Sequence, residues 1–270
     1  VTDIFSELSK TQPNKRRIDM SAVASKDGTT IAFDQSGKGP AIILVVGAFN
    51  DRATGAPLAR FLEQHFTVFN YDRRGRGESG DTAPYAIERE IEDLDALIAQ
   101  AGGSACVFGY SSGAILALRA AAHGLAISQL ALYEPPPTGS KAGELAPQLT
   151  ELIAEGCRGD AVELFQTEAV GIPAAVVAQM RNAPFRPALE KMARTLVYES
   201  TILGSLPTGL VASVRVPTLV TDGEESPEVM RQAARSLADA LPDGRYRTLK
   251  GQGHDIVPAV VGPVLGEFFR

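Results

Sequence analysis

Gly109-Tyr110-Ser111-Ser112-Gly113 is the stretch on which the reading of this chain turns. Directly upstream, Ala105-Cys106-Val107-Phe108 is short, apolar and strand-like; directly downstream, Ala114-Ile115-Leu116-Ala117-Leu118-Arg119-Ala120 is built of good helix formers. A strand, a Gly-x-Ser-x-Gly turn and a helix make a sharp elbow with a serine at its tip. The flanking positions must be small, because side chains there would collide with the neighbouring strand or helix. The helix that follows aims its N-terminal N–H groups and its dipole at the place where an oxyanion would form. As a bare pattern Gly-x-Ser-x-Gly occurs by chance in many proteins, where it is a glycine-rich turn that packs a helix on a sheet. The strand and the helix on either side lift it above that reading here.

Upstream, Ala41 to Val46 reads AIILVV, a continuous apolar run of the kind found in a parallel strand buried on both faces. It ends in Gly47-Ala48-Phe49-Asn50, after which a helix is expected with Leu58, Phe61 and Leu62 on its inner face. Thr67-Val68-Phe69-Asn70-Tyr71 is the next strand, and Ile87, Ile91, Leu94 and Ile98 recur at helical spacing. A turn signal at Lys26-Asp27-Gly28-Thr29 precedes a short strand, Ile31-Ala32-Phe33. Downstream of the elbow come a helix from Ser112 to His123 and a strand from Gln129 to Tyr133. Alternation of this kind implies a mostly parallel sheet covered by helices on both faces.

Pro135-Pro136-Pro137 stops the alternation. Residues 138–207 carry no strand pattern and read as helices around 144–155, 160–169, 173–182 and 187–203. The sheet resumes at Val216 to Thr221; a helix from Pro227, a strand at Tyr246-Arg247-Thr248-Leu249, the loop Gly251-Gln252-Gly253-His254-Asp255 and a last helix ending at Phe268-Phe269 follow. The expected organisation is a flexible N-terminal extension over 1–20, an α/β core formed by 21–135 with 208–270, and an inserted helical lid over 136–207. Phe165, Met180, Phe185, Met192 and Tyr198 of the lid are packing residues by their spacing, some of them also facing a cleft.

A length of 270 residues suits one such domain with an insertion. The formal net charge of −6 argues against a nucleic-acid binder, which would show a basic face. Two cysteines, Cys106 and Cys157, are too few and too far apart for a disulfide framework or a metal site. No apolar run is long enough to span a bilayer, and Val1 to Met20 has no apolar signal core, which makes the cytoplasm the expected compartment. No metal and no cofactor are expected, and the expected partner is a small-molecule substrate. Whether the chain is a monomer or a homodimer stays open.

The chain resembles the α/β-hydrolase superfamily, and the resemblance rests on blocks in order. Val46-Gly47-Ala48 stands where the family has its His-Gly-x turn. Asp72-x-Arg74-Gly75-x-Gly77-x-Ser79 matches its Asp-x-Arg-Gly-x-Gly-x-Ser loop. Gly109 to Gly113 matches its nucleophile elbow, and Gly253-His254-Asp255 follows the last strand, where the family keeps its histidine. The match runs from about residue 21 to the C-terminus. It is specific for the superfamily and not for a substrate. Asp72 and Arg74 are read as ties between loops, since there is no Gly-rich phosphate loop with a lysine.

Ser111 needs a base to take its proton and an acid to hold that base in the right tautomer. Of the three histidines, His65 precedes a strand and His123 ends a helix beside Gly124, so both read as surface or capping residues; His254 lies in the loop after the final strand. The acid is less plain. The usual family position falls near Ser226, in Thr221-Asp222-Gly223-Glu224-Glu225-Ser226-Pro227, and Ser226 reads as a helix N-cap. Some members, haloalkane dehalogenases among them, carry the acid after the strand that follows the elbow helix. Here that position is Glu134, in Leu132-Tyr133-Glu134-Pro135, with Glu225 and Asp222 as alternatives. The resemblance implies an oxyanion hole from the backbone N–H groups of Ala48 and Ser112, with Phe49 and Tyr110 as candidate pocket residues.

The resulting expectation is a serine hydrolase that cleaves a carboxylic ester, lactone or thioester of a small to medium apolar substrate through an acyl-enzyme. The same scaffold also carries C–C bond hydrolases and cofactor-free haloperoxidases, whose frequent methionine after the nucleophile is Ser112 here. A further alternative is a non-catalytic ligand-binding protein of the same fold, which the displaced acid favours and an intact Ser111 and His254 oppose.

Overall fold

In the computed structural model, residues 20–270 are described, so the expected extension lies outside the described residues apart from Met20, where the first strand begins. The strands are β1 (Met20–Ala24), β2 (Thr30–Gly37), β3 (Ala41–Val45), β4 (Thr67–Tyr71), β5 (Ala105–Tyr110), β6 (Ile127–Tyr133), β7 (Thr218–Gly223) and β8 (Gly244–Leu249). They form one eight-stranded sheet in the order β1-β2-β4-β3-β5-β6-β7-β8. β1 and β2 pair antiparallel, as do β2 and β4; every later pairing is parallel. β3 and β5 lie side by side in the middle, so the strand that leads to Ser111 is covered on both faces and flanked on both edges.

Helices α1 (Arg52–Leu62), α2 (Ile87–Gln100) and α3 (Ser112–Ala122) alternate with the strands up to β6. Between β6 and β7 the chain contains helices only: α4 (Ala146–Ala154), α5 (Arg158–Leu164) running into a π-helical turn (Phe165–Ala169), α6 (Ala174–Gln179), α7 (Arg186–Lys191), α8 (Thr195–Ile202) and α9 (Leu210–Ser213). α10 (Glu228–Ala240) and α11 (Pro258–Phe268) complete the chain. No helix among the described residues is long and apolar enough to cross a membrane.

The period-2 alternation of the strands divides the core in two. Ile43, Val45, Val107 and Leu132 face α2, α3, α10 and the inserted helices. Ile42, Leu44, Phe108 and Tyr133 face α1 and α11 through Leu58, Leu62, Val264 and Leu265. Phe61 departs from the expected inner face. It is 38% exposed, because its ring lies at the rim of α1 against Gly262 of α11, where a larger residue would not fit.

The loop after β4 does more than its glycines suggest. Asp72 accepts the Arg52 N–H at 2.8 Å and the Glu78 N–H at 2.9 Å, and Arg74 makes a two-pronged pair with Asp93 at 2.7 and 2.8 Å. Arg73, buried, forks onto Glu90 of α2 at 2.7 and 2.8 Å and reaches Glu199 of α8 at 2.8 Å. Arg76, also buried, shares that Glu199 oxygen and donates to the carbonyls of Gly47 and Asn50. One buried network thus joins the inserted helices to the loops after β3 and β4. A carboxylate in it cannot be removed cheaply, because a buried guanidinium would lose a charged partner.

Burial pushes the Glu90 carboxyl up, but the charge and hydrogen bonds of Arg73, with help from Arg76 and Tyr85, hold it below the usual carboxylate range. Its ionised form therefore contributes stability that is complete above the unfolded value of about 4.3 and is lost as pH falls through the lowered folded value. Urea titrations across pH should show Glu90→Gln less stable than the wild type by about 3–5 kcal/mol at pH 7, with the gap closing below about pH 4.

Candidate active site

Ser111 sits between β5 and α3 with φ 55° and ψ −128°, a backbone conformation that costs a non-glycine residue strain. The turn is held by Ser111 N–H to the Tyr133 carbonyl and Ala114 N–H to the Ser111 carbonyl, both at 2.9 Å. Glycine is needed on either side: a Cβ on Gly109 would fall 2.6 Å from Ala114 Cα, and one on Gly113 would strike the carbonyls of Val45 and Val46. Two other non-glycine residues among those described have positive φ, Phe49 at 59° and Glu134 at 54°. All three lie just past the carboxyl ends of β3, β5 and β6, which are adjacent strands. Strained backbone is thus gathered at the carboxyl ends of three central strands.

Glu134 is fully buried, yet both carboxylate oxygens are engaged. Oε1 accepts the Gly223 N–H at 2.6 Å, and Oε2 lies 3.1 Å from Nδ1 of His254. The histidine loop is pinned from below: Tyr133 donates to the Gly253 carbonyl at 2.6 Å, with the Asp255 carbonyl at 3.2 Å. The His254 ring packs against Tyr110 with centroids 5.1 Å apart, and its side chain is 45% exposed. Ser111 and His254 share one cavity wall, and no hydrogen bond joins them in this conformation.

The other carboxylates named from sequence are elsewhere. Asp222 is buried and accepts the Tyr246 hydroxyl at 2.6 Å; Glu225 is exposed, and only its backbone N–H is engaged, by Gln252. Ser226 does not cap α10. Pro227 takes that position, and the Ser226 hydroxyl is buried without a partner. The expectation failed because Ser226 N–H bonds the Gly223 carbonyl, turning the chain inward one residue before the helix begins. His65 and His123 are exposed.

The cavity beside Ser111 has a volume of about 260 Å³. Ala48, Ser111, Ser112, Pro136, Pro227, Met230 and His254 contribute from the core side, and Phe165, Ala169, Val170 and Leu203 from the inserted helices. No Asp, Glu, Lys or Arg lines it. Phe49 is not on its wall but stands edge-on behind Phe165, with centroids 5.7 Å apart. Tyr110 is not on the wall either, because the alternation of β5 turns its ring to the opposite face of the sheet, beneath His254. Burial, followed by the nearby charges of Asp255 and Glu134, pushes the Tyr110 phenol up, so it stays protonated. A larger hollow, about 400 Å³, lies away from Ser111 between α2, α3 and residues 207–213. Among the described residues, no group of three His, Cys, Asp or Glu side chains could hold a metal ion.

The Ala48 N–H, expected to be free for an oxyanion, instead donates to the Ser112 hydroxyl at 2.9 Å, at the N-terminus of α3. The Ala48 turn is braced by Asn50 Nδ2 on the Ala48 carbonyl at 2.6 Å and by Arg76 on the Gly47 carbonyl at 2.5 Å. Sequence reading missed Arg73, Arg76, Glu90, Glu199 and Tyr133 as supports. Asp72 and Arg74 read as ties between loops, but nothing local marks Arg73 and Arg76 or announces a carboxylate more than a hundred residues away.

Residues 42–260 match a family model described as "Alpha/beta hydrolase family". A solved alpha/beta hydrolase from Sphaerobacter thermophilus is 52% identical, covering 93% of this chain and all of its own, with a TM-score of 0.86. The enol-lactonase of Burkholderia xenovorans is 25% identical over 85% of this chain and 91% of its own, with a TM-score of 0.65. The N-formylmaleamate deformylase of Pseudomonas putida is 37% identical over 107 residues, which span 38% of this chain and 40% of the deformylase.

The Gly223 N–H gives a sharp test of Glu134. In Glu134→Gln the amide oxygen must face that N–H, so the amide NH₂ faces His254 Nδ1 and leaves the proton on Nε2, on the wrong side to receive one from serine. Fluorophosphonate labelling of Ser111, followed by mass spectrometry, should slow by about 10⁴. Glu225→Gln should leave the rate within about twofold, having no contact to lose.

Proposed function

The chain belongs to the alpha/beta hydrolase family, and from that premise we propose that it is a serine hydrolase cleaving esters of small, uncharged, apolar acids through an acyl-enzyme. The observation that carries this reading is the buried Glu134 carboxylate 3.1 Å from His254 Nδ1, with Ser111 on the same cavity wall. A carboxylate there holds the imidazole with its proton on Nδ1, leaving Nε2 to act as base.

Ser111 Oγ attacks the acyl carbon while His254 Nε2 takes its proton. Glu134 stabilises the imidazolium and stays ionised. The negative carbonyl oxygen is received at the N-terminus of α3, by the Ser112 N–H. Collapse expels the alcohol with the proton from His254, and water, activated by the same nitrogen, cleaves the acyl-enzyme. The inserted helices act as a lid: Phe165, Val170 and Leu203 exclude water and choose the acyl group.

The cavity supports the choice of acyl group by size and charge. About 260 Å³ accommodates a short chain, and a carboxylate brought into it would find no cation. Similar proteins named as an enol-lactonase and a deformylase place enol lactones and formamides beside simple esters as substrates to assay.

Purified protein should hydrolyse p-nitrophenyl butyrate, and Ser111→Ala and His254→Ala should each lose about 10⁴ or more in kcat. An otherwise similar hemisuccinate ester should be poorer in kcat/KM by about 100-fold or more, the cost of an unpaired carboxylate in an apolar cleft. A wild-type protein inert to short esters, lactones and fluorophosphonate alike would overturn the proposal.

A further inference from the structure

The Ala48 N–H is already occupied: it donates to the side-chain hydroxyl of Ser112 at 2.9 Å. Ser112 is the first residue of α3, is 2% exposed and forms part of the cavity wall. Its hydroxyl makes no other hydrogen bond among the described residues. A hydroxyl has one proton and two lone pairs. With Ala48 on one lone pair, the proton has no protein acceptor, and a buried donor without a partner is costly. The remaining polar side chains on this wall are Ser111 and His254; the rest is apolar or backbone. That proton is available to an oxygen in the cavity, at the helix N-terminus that favours negative charge.

We propose that Ser112 supplies its side-chain hydroxyl, in addition to its backbone N–H, as a donor to the carbonyl oxygen that becomes negative when Ser111 attacks. Ala48 then acts one atom removed. Its N–H fixes the hydroxyl rotamer and, by donating to Oγ, makes the O–H a stronger donor. The Ser112 proton stays on its own oxygen throughout; only its hydrogen bond shortens as charge builds. The Gly47 backbone closes over the hydroxyl so tightly that a Cβ there would sit 3.1 Å from Ser112 Oγ and 2.9 Å from Ser111 Cβ. An aliphatic side chain or a thioether at 112 would leave only the backbone N–H groups to do this work.

The inference rests on the serine-hydrolase reading, and one experiment separates the two. Steady-state hydrolysis of p-nitrophenyl butyrate, fluorophosphonate labelling and thermal midpoints are measured for wild type and Ser112→Ala. A wild type inert to both probes would sink the serine-hydrolase reading, and this inference with it. Given a reactive wild type, Ser112→Ala should lower kcat by about 100-fold, with KM within about twofold, as for loss of one oxyanion donor. Its pH profile and thermal midpoint should match the wild type. An unchanged or raised kcat would show that the hydroxyl only occupies the Ala48 N–H. A fall in kcat with a raised KM and a lowered midpoint would show that it packs the Ala48 turn. Either result overturns the inference.

Discussion

A carboxylate with no access to water, held between a backbone N–H and an imidazole, is the constraint around which this site is arranged. Glu134 lies one residue past β6 in strained backbone, and its two oxygens face β7 on one side and the histidine loop on the other. Its own N–H bonds the Thr221 carbonyl at 2.8 Å, so main chain and side chain together lock β6 to β7 where both strands end. A dry charge is tolerable only with such partners. The family's more usual acid position is taken by Ser226, a hydroxyl with nothing to bond, whereas the carboxylate that meets His254 stands at the end of β6, the strand next to β7.

The second buried charge system works at a distance from the cavity. Arg73 and Arg76 project from the loop after β4, meet at Glu199 on α8, and touch the carbonyls of Val46, Gly47 and Asn50. The same side chains that anchor the inserted helices thus brace the turn carrying Ala48. Tyr198, next to Glu199, stacks on Tyr85 with centroids 3.9 Å apart and donates to Asp81 at 2.7 Å, adding an aromatic clasp at the same seam. Packing of the helices between β6 and β7 and geometry of the Ala48 turn are in this way coupled through a few buried groups.

Local chemistry explains which parts of this arrangement could be read in advance. The apolar run 41–46, the tight glycines at 109 and 113 and the helical period from Ile87 to Ile98 are signals confined to a few neighbouring residues. They concern backbone sterics and one-sided burial, which do not depend on the rest of the chain. Phe61, Phe49 and Tyr110 were harder. Each lies within a residue or two of a wall it does not form, because the face it presents depends on how α1, the loop after β3 and β5 are rotated against their neighbours.

Sequence alone determined the strand–helix order, the family and a short set of candidate groups for acid–base and nucleophilic work, because those follow from periodicity, turn sterics and the scarcity of histidine. Which of three carboxylates meets His254, that Ser226 stays unbonded, that Glu199 serves two arginines and that Ser112 fills the Ala48 N–H were decided only by tertiary structure. The physical reason is that hydrogen bonds and desolvation are pairwise and short-ranged. Their partners here lie up to 126 residues apart along the chain and become neighbours only once the sheet has assembled.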